Sequence, residues 1–167
     1  MDYNNTTESQ QLWAPWRMEL INSPKSECFF CDDIATPEHD KENLILQRKQ
    51  HCFVIMNRYP YSNGHLMVVP FQHTSNMEDI PSVAYTEIME TVVQWQSILK
   101  KEVHAQGFNI GINIGSVAGA GVAGHIHVHI VPRWLGDTNF MPVLGNAKVI
   151  NQALDELYNK LLKYIVQ

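Results

Sequence analysis

The chain has 167 residues, of which 45% are apolar and 17% charged, enough for one domain with a sizeable core and unlike a disordered composition. A net charge of −5 and a pI near 5.9 exclude a general surface for duplex nucleic acid. They leave room for small anions, because histidines and backbone N–H groups can hold phosphate locally inside an acidic protein.

Met1 to Gln11 is polar and lacks an apolar h-region, so it reads as a flexible tail and not a signal peptide. Residues 12–167 read as one domain. No apolar run reaches the roughly 18 residues of a membrane span, and the expected location is the cytoplasm. Leu12 to Ile21 is aromatic-rich, with Trp13 and Trp16, and can end in a short helix. Cys28 and Cys31 follow in C-x₂-C spacing, which in a reducing compartment points to metal or redox use. That spacing is half of a tetrahedral zinc site; a buried cysteine pair around Phe29 and Phe30 is the other reading. A polar connection through Pro37 and Asp40 comes next.

Val54-Ile55-Met56 and Leu66 to Val69 are short apolar runs around Asn57 to Gly64, a stretch of turn formers, and predict a hairpin with a long connection. Ile88, Val92, Trp95 and Leu99 recur at helical steps between Pro81 and Gly107. Phe108, Ile110, Ile112 and Ile114 alternate with Asn109, Gly111 and Asn113, the pattern of a half-buried strand. Gly115 to Gly124 holds four glycines and no charge. His125 to Val131 is a second alternating segment, and Ile150, Leu154, Leu157, Leu161 and Ile165 mark a C-terminal helix. The order predicts an α+β fold, an antiparallel meander with the long helix and the C-terminal helix on one face.

The histidine segment carries the chemistry. On a strand, His125, His127 and His129 share one face, while Ile126, Val128 and Ile130 enter the core from the other. Three buried imidazoles are costly without polar partners, so their face is expected to line a site, suited to acid–base or nucleophilic work near neutral pH. Alternate histidines can also ligate zinc, a rival reading that stays open, above all for His125. Asn113 would sit beside the row if the two strands pair antiparallel. The glycine loop can bring backbone N–H groups against a phosphate.

His-x-His-x-His followed by two apolar residues, with x apolar, stands complete at His125 to Val131. Asn57-Arg58-Tyr59-Pro60 through Gly64-His65 to Pro70 accompanies it, as do Trp13 to Met18 and Pro132 to Phe140. With these segments the chain resembles the histidine triad superfamily, in particular the bacterial branch that includes diadenosine tetraphosphate phosphorylases, related to fragile histidine triad hydrolases. The resemblance implies a homodimer and a double displacement on a small nucleotide. His127 looks like the nucleophile. His129, Asn113 and the loop N–H groups of Gly119 and Gly121 look suited to the leaving phosphate.

By the same resemblance Asn57 would hold the ribose, or merely start a turn. His65 would support the catalytic strand, or cap its loop. Trp13 and Trp16 would form a base pocket, or pack in the core. Many relatives carry Gln or Ser three or four residues before the first histidine; here Gly121 and Val122 stand there. Backbone donors or Ser116 would then substitute. In zinc-containing relatives two histidines complete the cysteine pair, at positions matching His73 and His125, so a structural Cys₂His₂ zinc site is implied. Magnesium would arrive with the polyphosphate.

The expected function is cleavage of dinucleoside polyphosphates such as diadenosine tetraphosphate, with water or phosphate as acceptor. The alternatives are a purine nucleoside phosphoramidase and a nucleotide-binding signalling module with slow hydrolysis.

Overall fold

The two fully buried strands pair with each other inside the sheet. Cys52–Met56 (β2) and Leu66–Pro70 (β3) run antiparallel with Met56 opposite Leu66 and Cys52 opposite Pro70, and every residue of both is buried. In this computed structural model residues 27–137 and 152–165 are described. Ile45–Arg48 (β1) flanks β2, while Gly107–Ile112 (β4) and Val128–Arg133 (β5) complete five antiparallel strands in the order β1-β2-β3-β5-β4.

That order departs from a strict meander. After β3 the chain runs through the long helix Ser82–Glu102 (α2) to the far edge as β4, then returns as β5 between β4 and β3. The returning strand carries the histidines, so they arrive in the sheet interior and not at its rim. Helix α2 presents Ile88, Val92, Trp95 and Leu99 to the sheet, all buried, as the helical spacing predicts. The C-terminal helix Leu154–Leu162 (α3) adds Leu157, Tyr158 and Leu161 to the same core, against Val54, Met56, Leu66, Val68, Val128 and Ile130. Two polar groups in this layer are matched. Trp95 Nε1 donates to Gln47 at 3.0 Å, and the Tyr158 hydroxyl donates to the Ile45 carbonyl at 2.9 Å.

The opposite face is covered by a short helix, Phe29–Ala35 (α1), whose Phe30 packs with Ile45, Phe53, Ile55, Met67 and Val69. Helix α1 starts inside the cysteine pair, and β1 lies beyond the polar connection expected through Pro37 and Asp40; neither element was expected. They are too short for a period of 3.6 or 2 to declare itself, although the triplet Leu44-Ile45-Leu46 was a visible apolar signal. The histidine segment also differs in extent: β5 begins at Val128, and His125, at a bend, and Ile126 and His127 lead into it outside the ladder. The Ile126 N–H donates to the Thr74 carbonyl at 2.8 Å, which holds this lead-in to the loop after β3. The expected tail, Trp13, Trp16 and Ile150 lie outside the described residues.

Gly64 occupies a left-handed turn with φ of +76° just before His65, and a Cβ there would stand 3.1 Å from Leu99 Cδ2. Leu99 is fully buried and has little freedom to give way. Gly64→Ala is expected to destabilise the protein by about 2 kcal/mol, from left-handed strain and crowding together. The urea midpoint checks this; a change below about 0.5 kcal/mol contradicts it.

Candidate active site and metal centre

The site begins with where buried imidazoles find partners. His65, His125, His127 and His129 are all buried, at 1%, 0%, 3% and 8% exposure. A carbonyl can only accept and a backbone N–H can only donate, so each such partner dictates which ring nitrogen carries hydrogen.

His127 Nδ1 lies 2.9 Å from the carbonyl of His125. Nδ1 therefore donates, and Nε2 keeps a free lone pair. His125 Nε2 lies 2.9 Å from the Pro70 carbonyl, so Nε2 donates and the lone pair sits on Nδ1. His129 is set at one remove. The Tyr61 N–H donates to His65 Nδ1 at 3.0 Å, which leaves His65 Nε2 as donor to His129 Nδ1 at 2.9 Å. His129 then carries its hydrogen on Nε2. That nitrogen is the sole buried side-chain polar atom without a hydrogen-bond partner among the described residues. A buried orphan donor costs on the order of 1–3 kcal/mol, which a ligand acceptor would recover.

Neighbouring strands leave an opening there. His129 is flanked by Met67 on β3 and by Gly111 on β4. A side chain at Gly111 would meet nothing within 4 Å. Carrying the β4–β5 register two residues past Gly111 sets Asn113 on the same face, opposite His127. Tyr61 lies over the pair, its ring 4.6 Å from His65 and 5.8 Å from His129. No periodic signal marked Tyr61; its place comes from the long hairpin turn. His65 thus joins the row through His129.

Asn57 uses its carboxamide oxygen to accept the Tyr59 N–H at 2.8 Å, the turn reading of that residue. Ser116, Gly119 and Gly121 lie exposed in the loop between Asn113 and His125, with Gly115 and Gly119 at positive φ. Among the described residues no hydrogen bond joins them to the imidazoles.

Burial holds the triad neutral. It lowers the pKa of His127 against the opposing pull of the His125 carbonyl, and burial with the nearby His127 takes His129 down to about 4. Neutral His127 has its lone pair on Nε2, the form that can act as a nucleophile, and neutral His129 is a hydrogen-bond donor beside it, ring centroids 4.8 Å apart.

A second cluster adjoins the first. Cys28, Cys31, His73 and His125 place one ligand atom each within 4.8 Å of one another. His125 Nδ1 lies 3.3 Å from Cys28 Sγ and 3.7 Å from Cys31 Sγ, and His73 Nδ1 lies 3.2 Å from Cys31 Sγ. Sulfur and nitrogen bound to one tetrahedral zinc stand about 3.6 Å apart, from bond lengths of about 2.3 and 2.0–2.1 Å. The four donors therefore fit zinc in spacing and softness, and the His125 lone pair already points to the thiols. Burial, with Cys28 beside it, pushes the Cys31 thiol up to about 11; a divalent cation replacing the thiol protons would reverse this. Cys52 is separate, its thiol near Glu87 and Thr91 under α2.

Comparison with known proteins adds a family. A family model described as "HIT domain" matches residues 38–134. A Mycobacterium tuberculosis protein named AP-4-A phosphorylase is 38% identical over 87% of this chain and 78% of its own. A Schizosaccharomyces pombe protein named bis(5'-nucleosyl)-tetraphosphatase [asymmetrical] is 31% identical over 56% of this chain and 50% of its own. Among solved structures, a zinc-bound histidine triad family protein from Mycobacterium smegmatis superposes with a TM-score of 0.65 at 26% identity, covering 84% of this chain and 94% of that one.

The lowered pKa of His129 gives stability a sign with pH. Between about 6.5 and 4 the unfolded chain takes a proton that folded His129 refuses. Stability is therefore full above 6.5 and falls on acidification, by up to about 1.4 kcal/mol per pH unit from this group. Denaturant midpoints at pH 7 and pH 5 are expected to separate more for the wild type than for His129→Asn. Equal separations contradict the assignment.

Proposed function

The chain belongs to the histidine triad (HIT) family and is a nucleotide hydrolase or phosphorylase of that family, and from this premise we propose that it cleaves dinucleoside polyphosphates through a nucleotidyl group carried on His127. The observation that carries the reading is the pair of opposite tautomers side by side: a lone pair on His127 Nε2 and a hydrogen on His129 Nε2.

In the first step His127 Nε2 attacks the α-phosphorus and forms a P–N bond while the bond to the bridging oxygen breaks. The leaving phosphate chain takes that electron pair, and His129 Nε2–H donates a hydrogen bond where negative charge develops. The His125 carbonyl stabilises the imidazolium by accepting Nδ1–H throughout. In the second step an acceptor oxygen attacks the same phosphorus, the P–N bond breaks and His127 is restored. The 38% identical relative named AP-4-A phosphorylase supports inorganic phosphate as that acceptor. Asn113 and the N–H groups of Gly119 and Gly121 hold the phosphates, Ser116 supplements them, and Asn57 holds the ribose. Magnesium travels with the polyphosphate oxygens.

The Cys28, Cys31, His73 and His125 cluster holds zinc in a structural role, since four protein ligands fill a tetrahedral ion. Two chains pair through the outer edge of β4 and the residues just after it, where Ile110 and Ile114 are 42% and 49% exposed. No disulfide joins Cys28, Cys31 and Cys52, as suits the cytoplasm, and no helix among the described residues is long and apolar enough to cross a membrane.

Brief incubation with labelled diadenosine tetraphosphate is expected to trap an acid-labile, base-stable adduct, and His127→Asn to lose both the adduct and on the order of a thousandfold in kcat. With phosphate present the products are expected to be ATP plus ADP; ATP plus AMP identifies water as acceptor. Turnover with no adduct in the wild type refutes the covalent reading. The purified protein is also expected to hold about one zinc per chain, the closed four-ligand stoichiometry. Zinc content and thermal stability should fall together in Cys28→Ser; zinc below about half an equivalent in the wild type, unchanged by the substitution, removes the assignment.

A further inference from the structure

Phe30 has no part in the steps above, yet it touches both clusters. It sits between the two metal-site cysteines in sequence and is fully buried. Its ring centroid stands 5.4 Å from that of His125 and 5.2 Å from that of His127, with Phe53 behind it at 6.3 Å. Cys28 and Cys31 bracket it closely, since the Cys31 N–H donates to the Cys28 carbonyl at 3.0 Å and forms a tight turn with Phe30 at its inner corner.

His127 has one hydrogen bond among the described residues, from Nδ1 to the His125 carbonyl. That bond fixes one edge of the imidazole and leaves the ring plane free to swing about it. A nucleophile needs its lone pair aimed at phosphorus, and aim is lost with the plane. With the His129 ring edge-on at 4.8 Å on one side, the Phe30 ring, tilted 52° against His127, is the apolar contact that limits the swing. The far end of α1 is braced as well. Arg48 donates to the carbonyls of Ile34 and Asp33 at 3.2 and 2.6 Å while Asp40 holds its guanidinium.

Resting on the reading of His127 as nucleophile, we propose that Phe30 is a positioning residue: the C-x₂-C turn, closed on its metal, presses the Phe30 ring against His127 and sets the direction of Nε2. The metal cluster then acts on the reaction through contact and through the shared residue His125, whose ring faces the thiols and whose carbonyl holds His127. The metal itself stays outside the chemistry.

The test substitutes Phe30→Leu, which keeps an apolar side chain and removes the flat face, with zinc content measured on the purified protein. Expected is a fall in kcat of roughly tenfold or more with KM changed less than about twofold. The Nδ1–H resonance of His127 in ¹⁵N-edited spectra should shift or broaden along with it. Stripping the metal from the wild type with a chelator is expected to move the same resonance, and this arm needs no variant to fold. Leu157→Ala, a truncation in the core on the opposite sheet face, should lose stability while both readouts stay put. Wild-type kcat with an unmoved His127 resonance in metal-loaded Phe30→Leu overturns the proposal, and so does an unmoved resonance in the chelated wild type. Failure of the covalent reading is separate: it shows as no adduct in the wild type, while the resonance still reports whether Phe30 sets the ring.

Discussion

An imidazole can be buried in a sheet only if one of its nitrogens has a fixed partner, and the histidine face of this protein is organised by that requirement. Pro70 contributes a carbonyl to His125, His125 contributes one to His127, and the Tyr61 N–H reaches His129 through His65. Each partner is backbone or is set by backbone, so the fold itself assigns the tautomers. The results differ although the three residues are chemically identical. His125 turns its lone pair to the thiols, His127 keeps a lone pair in the site, and His129 presents a hydrogen. Neutrality follows from the same burial, since charging any of them would add desolvation cost and repulsion from its neighbours.

That division depends on the returning strand. If β4 and β5 had followed β3 as a simple meander, the histidine strand would not pair on one side with the hairpin that carries His65 and Tyr61. With β5 between β3 and β4, His129 has Met67 and Gly111 as cross-strand neighbours. One side supplies the relay histidine from the end of the hairpin, and the other leaves room where a glycine stands. Topology, and not the histidine motif alone, makes one flank a support and the other an entrance.

Much of this was legible in the sequence because it rests on period and on partner chemistry. Two-residue alternation placed His125, His127 and His129 together and put Val128 and Ile130 in the core, and helical spacing found four of the seven buried residues of α2. The pairing of Cys28 and Cys31 with His73 and His125 followed from family resemblance, and the four donors do converge. What was not legible is the work of short or irregular pieces. Seven residues of α1 and four of β1 carry no measurable period. The alternation also overstated β5, because a strand needs ladder partners as well as pattern, and Ile126 takes its partner, the Thr74 carbonyl, from a loop. Phe30 was visible only as part of a cysteine pair; its contact with His127 is a tertiary fact.

The unsatisfied Nε2 of His129 and the left-handed Gly64 belong to one local compromise. Gly64 makes the turn that delivers His65 to the start of β3, next to Leu66, which lies opposite Ile130. From there His65 can reach His129 and fix its tautomer, and the cost of that fixation is a donor with no protein acceptor. A side chain supplying an acceptor would stabilise the fold by a kcal/mol or so, but it would occupy the position in which a phosphate oxygen can accept the same hydrogen. Among the described residues, the one buried orphan donor lies where the proposed reaction develops negative charge. Stability given up at His129 is binding energy held for the ligand.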